Sequence, residues 1–322
     1  MHACIDLGSN SFHLLIGEWL EGEIRIVERL SEKVQLGEGV GVTGRISPAA
    51  FERGIECLIR FDELMQRYPL ENYWALGTNT FRVAKNAQTF LHEAARIGIN
   101  ISPISGVQEA ILIYAGVITA LPKSDARRLV IDVGGGSTEV IIGRHHKRLI
   151  TESLAIGSVA WRDRFFAGAK QDATELLPQM DEGKAAAAAV FAKLAPVIMK
   201  IGWNEVYASS GTMKMLSYIC QEHGYGTGEI HLDGLYALKP VIAQSIINNA
   251  ELPGLKESRR DLLLPGWCVI TGLMETCNIN RIHFSHTALR EGMLDFMVKN
   301  SKTLRTMQRS GLPGVISTTP TE

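Results

Sequence analysis

Two stretches of this sequence share one plan: residues 4–17 read CIDLGSNSFHLLIG, and residues 130–143 read VIDVGGGSTEVIIG. In each stretch an aspartate lies near the end of an apolar run, and a glycine follows two residues after it. A serine lies five residues after the aspartate, and a glycine eleven residues after it closes a second apolar run. Two apolar runs around small polar residues predict two strands joined by a tight turn, and these turn residues are of the kinds that allow positive φ. Because the plan occurs twice, we predict a duplicated domain.

The composition predicts an ordinary globular protein with two domains. The chain has 322 residues, of which 46% are hydrophobic and 21% are charged, and this length exceeds what one core usually serves. The net charge is −1, so no overall positive field attracts DNA or an anionic membrane, and neither is an expected partner. Basic runs at Arg127 and Arg128, at 144–148, and at Arg259 and Arg260 could still bind a polyanion, although such runs are more often solvated turns.

The cysteines and the hydropathy pattern give no sign of export. The five cysteines are odd in number and form no CxxC pair, so neither a disulfide framework nor a zinc site is expected. An apolar strand begins almost at once without a signal-peptide pattern, and no apolar stretch approaches the roughly 20 residues of a membrane span. A cytoplasmic location is therefore expected.

Apolar periodicity predicts alternating strands and helices along the chain. The predicted strands lie at 23–29, 73–76, 99–104, 205–208 and 281–284. The predicted helices lie at 48–68, 86–97, 109–121 and 182–203, and Pro196 is expected to kink the last of them. This alternation indicates an α/β fold with central sheets.

The same patterns predict the limits of the domains. The first domain is expected at 1–122 and the second at 123–288, and a last helix at about 289–301 is expected to pack back on the first domain. Residues 302–322 are rich in Ser, Thr, Gly and Pro, a composition typical of a disordered tail.

The two turns carry residue types that bind phosphate. Successive backbone N–H groups in a glycine-rich turn form a concave anion site, and Ser and Thr hydroxyls add donors. The candidate phosphate-binding residues are Gly8, Ser9, Asn10 and Ser11 in the first turn and Gly134, Gly135, Gly136 and Ser137 in the second. Either turn alone could be an ordinary hairpin that needs glycine for its geometry, but two copies behind an aspartate favour phosphate binding.

Two further segments carry candidate phosphate ligands. Arg82 follows the polar segment 77–81 and is a candidate phosphate clamp, with a solvated arginine as the alternative. Gly211 and Thr212 follow a predicted strand and are expected to form a third polar turn, suited to a distal phosphate or a nucleotide.

Four carboxylates are candidates for chemistry at such a phosphate. Asp6 and Asp132 precede the two turns and are predicted to hold Mg²⁺ through hard oxygen ligands, although each could instead cap its own turn. Glu109 and Glu139 could orient or deprotonate a water that attacks phosphorus. From its spacing alone, Glu109 is more often a helix-start charge that the helix dipole favours.

Motifs of several other nucleotide-binding and hydrolytic classes are absent. The sequence has no GxxxxGK[ST], HExxH or GxSxG segment. The glycine-rich segment 37–41 is not expected to bind a dinucleotide, because no strand clearly precedes it and no helix opens from it.

Six segments, taken in order, resemble the exopolyphosphatase and guanosine pentaphosphate phosphatase family (Ppx/GppA). They lie at 5–13, 77–82, 105–110, 130–139, 209–212 and 288–292, and the resemblance covers roughly residues 3–300. It implies duplicated actin-like, ribonuclease-H-like domains with the active site in the cleft between them. It also implies a Mg²⁺-dependent hydrolase, with Mn²⁺ as the alternative metal, that releases terminal orthophosphate from polyphosphate or guanosine pentaphosphate. Homodimers are common among the proteins it resembles, so a homodimer is a candidate assembly, although the sequence does not specify the oligomeric state.

The resemblance also implies roles for individual residues. The catalytic glutamate of the family pattern falls on Glu109, and the glutamate that helps to place the attacking water falls on Glu139. The resulting hypothesis is that Glu109 deprotonates a water, which attacks the terminal phosphorus in line and releases orthophosphate without a covalent intermediate.

The sequence departs from the family pattern at several positions. Gln108 replaces a glutamate, and Ile111 and Gln35 replace arginines. Larger members also carry a C-terminal helical domain related to HD phosphohydrolases, and this sequence ends before it. These departures keep two alternatives open: a kinase or ATPase of the same superfold, and a non-catalytic sensor that binds polyphosphate or an alarmone.

Overall fold

A computed structural model describes residues 1–20, 23–167, 172–298 and 311–318. The chain divides into two compact units, one made of Met1–Pro122 with Thr287–Glu322 and the other of Lys123–His286. No helix of the described residues is both long enough and apolar enough to cross a bilayer.

Strands and helices alternate along the described residues, in agreement with the α/β prediction. The strands are β1 (His2–Leu7), β2 (Ser11–Leu20), β3 (Glu23–Lys33), β4 (Asn72–Gly77), β5 (Ile101–Pro103), β6 (Arg127–Val133), β7 (Thr138–Arg144), β8 (Lys147–Leu154), β9 (Glu205–Ser209), β10 (Glu229–His231), β11 (Arg281–Phe284) and β12 (Ile316–Ser317). The helices are α1 (Val40–Thr43), α2 (Pro48–Met65), α3 (Asn79–Val83), α4 (Ala87–Arg96), α5 (Gly106–Ala120), α6 (Ser158–Phe165), α7 (Ala173–Phe191), α8 (Ala195–Ile201), α9 (Gly211–Glu222), α10 (Leu232–Ile247), α11 (Leu263–Thr276) and α12 (Leu289–Val298), with a short 3₁₀ helix at Glu257–Leu262.

Both units contain a sheet with the same order of strands. In the first unit β1, β2 and β3 are antiparallel neighbours, β4 runs parallel to β1, and β5 runs parallel to β4. In the second unit β6, β7 and β8 are antiparallel neighbours, β9 runs parallel to β6, and β11 runs parallel to β9. The orders β3–β2–β1–β4–β5 and β8–β7–β6–β9–β11 therefore correspond strand by strand, and the predicted duplication is confirmed.

The core of the first unit contains an aromatic cluster around Phe90. Phe90 on α4 is fully buried and meets Phe12, Phe51 and Phe81 edge to face, with ring centroids 5.0–6.3 Å apart. Phe12 is the second residue of β2, which follows the first turn, and Phe81 lies in the segment that precedes Arg82. One aromatic cluster thus anchors two of the segments that the sequence singled out.

The segment at 288–292 joins α12 to α5 within the first unit. The Glu291 carboxylate accepts the Ala288 N–H (2.9 Å) and also binds the Arg29 guanidinium (3.0 Å). The helix backbones touch where Gly116 and Gly292 lie: a Cβ on Gly116 would be 1.9 Å from the Ala288 carbonyl oxygen, and a Cβ on Gly292 would be 1.9 Å from that of Leu112. These glycines are therefore required by close approach of two backbones rather than by their dihedral angles.

The single helix predicted at 182–203 is wrong. The structure has two helices there, because α7 ends at Phe191 and α8 begins at Ala195. Pro196 lies in the first turn of α8, where a proline has no intrahelical N–H bond to lose. The first helix also begins earlier than predicted, since the Asp172 side chain accepts the Thr174 N–H (2.7 Å) and caps it.

The prediction of a disordered tail at 302–322 is wrong for the part that the structure describes. Residues 311–318 are ordered and include β12, which pairs antiparallel with β4 (Ile316 opposite Tyr73). Residues 302–310 and 319–322 lie outside the described residues, as do 299–301 of the predicted last helix.

Candidate active site

The same backbone hydrogen bond closes both predicted turns. The Gly8 N–H donates to the Ser11 carbonyl (3.1 Å), and the Gly134 N–H donates to the Ser137 carbonyl (2.9 Å). The turn residues are of kinds that allow positive φ, but no residue of either turn adopts it. Glycine is favoured instead by lack of space, since a Cβ on Gly8 or Gly134 would lie 3.0 or 3.1 Å from the carbonyl oxygen that closes its turn.

Gly37 packs against the first turn and is hydrogen-bonded to it. The Gly37 N–H donates to the Ser9 carbonyl and the Gln35 N–H donates to the Asn10 carbonyl, both at 2.8 Å. A Cβ on Gly37 would lie 2.7 Å from the Cβ of Ser9. Segment 37–41, which the sequence left without a role, therefore begins with a residue that supports this turn.

The second turn is supported in the same way. The N–H groups of Ser158 and Val159, in the first turn of α6, donate to the carbonyls of Gly134 and Gly135 at 2.9 and 2.8 Å. A Cβ on Gly157 would lie 2.5 Å from the carbonyl carbon of Gly135. In both units the supporting glycine follows the third strand of the sheet, and only its position after β3 or β8 could have revealed it in the sequence.

These contacts leave backbone amides, rather than carbonyls, available at both turns. Among the described residues, no acceptor binds the N–H groups of Ser9, Asn10, Gly135 or Gly136, whereas the carbonyls of Ser9, Asn10, Gly134 and Gly135 are all bonded. A turn in which the carbonyls are hydrogen-bonded within the protein, while successive backbone N–H groups are available to a ligand, is an anion-binding nest. The arrangement supports the predicted phosphate role of both turns.

A polar row crosses the sheet of the second unit beside its turn. Asp132 lies opposite Glu139, which lies opposite Ser153, so their side chains share one face of the sheet. Glu139 is fully buried, and its Oε1 accepts the Ser153 hydroxyl (2.8 Å). On the other side, the Ser209 hydroxyl donates to Asp132 Oδ2. Neither serine was predicted as a site residue, because only the register of the strands places it beside a carboxylate.

The first unit repeats this row with one change. Asp6 lies opposite His13, and His13 lies opposite Ser31. The histidine therefore takes the place of Glu139, while the aspartate and the serine correspond to Asp132 and Ser153. In this row the first unit therefore has one carboxylate where the second unit has two.

Glu109 is held at the start of α5 by Arg82. The helix begins at Gly106, earlier than the predicted 109, because Ser105 caps it by accepting the Gln108 N–H (3.2 Å). The Arg82 guanidinium donates to Glu109 Oε2 (2.8 Å) and to the Ile104 carbonyl (2.9 Å). Burial raises the pKa of Glu109 above that of an ordinary glutamate, and the positive charge of Arg82 opposes part of this rise. The structure thus joins two residues that the sequence had placed in separate roles.

The predicted third turn at Gly211 and Thr212 is wrong in form, because both residues are the first of helix α9. Ser210 caps that helix by accepting the Met213 N–H (3.3 Å), and it does so at φ 99°, a conformation that side-chain-bearing residues rarely adopt. The segment therefore offers a helix N-terminus, which attracts anions.

One arginine of the basic run at 259–260 lies against the start of this helix. A Cβ on Gly211 would lie 2.4 Å from Nη1 of Arg259, so the guanidinium rests on the glycine backbone. Burial lowers the pKa of Arg259, and the nearby charge of Asp261 opposes this. Within the described ranges, the Arg259 guanidinium makes no hydrogen bond or ion pair, whereas the backbone N–H of this residue donates to the Lys256 carbonyl (2.8 Å). Its neighbour Arg260, by contrast, binds Glu257 (2.8 Å) and the Ala250 carbonyl (2.9 Å).

The donor set fits a metal that keeps most of its own water. In the part of the chain that the structure describes, no three His, Cys, Asp or Glu side chains are grouped to hold a metal ion. Mg²⁺ does not need such a cage, because it commonly uses one or two carboxylates together with water and substrate phosphate. Asp132 beside its turn, and Asp6 beside the other, suit that mode of binding.

Comparison with known proteins agrees with the fold. Residues 15–301 match the model of the Ppx/GppA phosphatase family. The crystal structure of an exopolyphosphatase from Cytophaga hutchinsonii superposes with a TM-score of 0.82 at 26% identity, covering 94% of this chain and 99% of that one. Together with the repeated strand order, this match confirms the predicted duplicated actin-like domains.

Curated relatives place the chain in the same group. A Haemophilus influenzae protein named “Putative exopolyphosphatase” is 35% identical over 92% of this chain and 91% of its own length. The guanosine-5'-triphosphate,3'-diphosphate pyrophosphatase of Aeromonas salmonicida is also 35% identical, over 94% of this chain but only 60% of its own length. The chain therefore belongs to the Ppx/GppA phosphatase family and is a hydrolase of phosphoanhydride bonds.

Proposed function

We propose that this protein releases terminal orthophosphate from inorganic polyphosphate or guanosine pentaphosphate by attack of water. The observation that carries the proposal is the buried Glu109 carboxylate, which is held by Arg82 at the start of α5. A carboxylate whose pKa is raised by burial accepts a proton from water more readily than an exposed one. The two substrates are those named for the relatives, and the chain spans only 60% of the Aeromonas protein.

The remaining residues have separate roles in this proposal. The amides of the two turns bind the oxygens of the terminal phosphate, and Glu139, fixed by Ser153, orients the attacking water. Asp6, Asp132 or both would hold Mg²⁺, with Mn²⁺ as the alternative. The bound ion would neutralise charge that develops on the phosphate oxygens. Positioning and electrostatic stabilisation account for most of the acceleration in such a reaction.

The proposal is tested by measuring orthophosphate release. Long-chain polyphosphate, tripolyphosphate, guanosine pentaphosphate and ATP are each supplied with MgCl₂ and, separately, with a chelator. We expect release from at least one of the first three, dependent on the metal. ATP turnover that requires added sugar would favour a kinase of the same fold. Binding of polyphosphate by folded protein without release of phosphate would contradict the hydrolase and favour a sensor.

Arg259 is proposed to bind a distal phosphate together with the N-terminus of α9. Arg259→Met should raise KM about 10- to 100-fold with a smaller change in kcat, since a hydrogen bond to a charged group contributes about 1.5–3 kcal/mol. Initial rates at varied substrate concentration check this. Arg260→Met is the matched control, because Arg260 already binds Glu257 and a backbone carbonyl. An unchanged KM in Arg259→Met would exclude this role.

Removal of Arg82 should shift the pH dependence of the reaction. Arg82 lowers the pKa of Glu109 against the effect of burial, so Arg82→Met should raise that pKa further. A general base must be deprotonated, so the acid limb of the kcat profile should move to higher pH. Rates between pH 5 and 9 measure the shift, with Arg96→Met as control because Arg96 is exposed and pairs with Glu93 (3.1 Å) on the same helix. An acid limb that stays in place would show that another group titrates there.

A further inference from the structure

Gln108 uses both ends of its side-chain amide. Its Oε1 accepts the Ser105 N–H (2.8 Å), which completes a capping box at the start of α5. Its Nε2 donates to the carbonyl oxygen of Gly311, a residue more than two hundred positions later in the chain. One side chain thus joins the helix that carries Glu109 to residues 311–318.

The second of these bonds requires an amide. A glutamate at 108 could accept the Ser105 N–H equally well, since glutamate is usual at this position of a capping box. It could not donate to the Gly311 carbonyl, and its negative charge would face that oxygen. The glutamine that departs from the family pattern therefore matches the contact with residues 311–318.

Residues 311–318, which we call the strap, are held at their far end as well. Ile316 and Ser317 lie opposite Tyr73 and Asn72 along the edge of β4, and the Thr318 N–H donates to the Glu71 carbonyl (3.0 Å). Between the two ends, the Leu312 side chain is buried. Backbone pairing at one end and Gln108 at the other fix the strap between the edge of the sheet and the first turn of α5.

We propose that the strap holds the first turn of α5 in place and that Gln108 is a positioning residue for Glu109. This inference rests on the proposed function, because it assigns Glu109 the role of general base. Glu109 directly follows Gln108 in the same helical turn. A base that is misplaced by a fraction of an ångström loses rate even when its chemistry is intact.

The test separates the strap contact from the reaction. Three variants are compared with wild type: Gln108→Glu, which keeps the capping box and loses the donor, a chain lacking residues 311–322, and the two changes combined. Gln88→Glu is the matched control, since exposed Gln88 lies in the first turn of α4. Hydrogen exchange of residues 105–110 and steady-state orthophosphate release are measured for each.

We expect Gln108→Glu and the deletion each to speed exchange at 105–110 and to lower kcat about tenfold with little change in KM. The combined variant should be no worse than the worse single variant, because both changes remove one contact. The proposal would be overturned by unchanged exchange at 105–110 in Gln108→Glu. It would also be overturned if the losses of kcat in the two single variants multiplied in the combined variant. If the variants exchange faster but neither they nor the wild type release phosphate from any substrate, the proposed role of the strap is supported and the proposed function is refuted.

Discussion

Replacing Glu109 by Gln should lower the rate of orthophosphate release on the order of 10²–10⁴-fold, the usual contribution of a general base. The amide has nearly the shape of the carboxylate and can still contact Arg82, so the start of α5 should keep its structure. It cannot take a proton from water at neutral pH. The loss should therefore appear in kcat, with substrate binding close to that of wild type. Phosphate release and substrate binding are measured on the same preparation.

The control for this variant is a glutamate in an equivalent ion pair away from the proposed chemistry. Glu205 binds Arg128 at 2.8 Å, as Glu109 binds Arg82, but it begins β9, at the end of that strand away from Ser209. Glu205→Gln should retain nearly the wild-type rate. If Glu109→Gln also does so, Glu109 is not the base. A loss of substrate binding equal to the loss of rate would instead make Glu109 a binding residue.

The sequence predicted those parts of the site that depend on local pattern. The hairpins around Gly8 and Gly134 follow from apolar runs on either side of small residues, and such a pattern is complete within about fourteen residues. The repeat strengthened the prediction, because each copy supported the other. The aspartates and the catalytic candidates were found by the same means, together with the family resemblance.

The parts it did not predict depend on contacts between distant segments. Gly37 and Gly157 support the turns only because the third strand of each sheet returns to them, and no local signal distinguishes them from loop glycines. Ser153 and Ser209 reach Glu139 and Asp132 through strand register. Register depends on the whole sheet and is invisible in a single strand.

The largest expected effect on stability is at the crossing of α5 and α12. Gly116→Ala should lower the free energy of unfolding of the first unit by about 3 kcal/mol, the upper part of the range for overpacked positions. The added methyl would lie 1.9 Å from the Ala288 carbonyl oxygen. That atom belongs to the backbone and cannot rotate away, so α12 must move as a body and disturb the Glu291 contacts with Ala288 and Arg29. Thermal unfolding should show a midpoint lower by on the order of 10 °C.

Gly41→Ala is the control for this prediction, because the same substitution is expected to have the opposite effect on stability there. In an open helix, alanine is favoured over glycine by about 1 kcal/mol, because the unfolded chain loses freedom. A Cβ on Gly41, in α1 of the same unit, would meet no atom within 4 Å, so this variant should be as stable as wild type or slightly more stable. Opposite effects from the same substitution would show that the α5–α12 contact, and not helix propensity, requires glycine at 116. A Gly116→Ala protein that unfolds at the wild-type temperature would mean that the two helices are not in backbone contact.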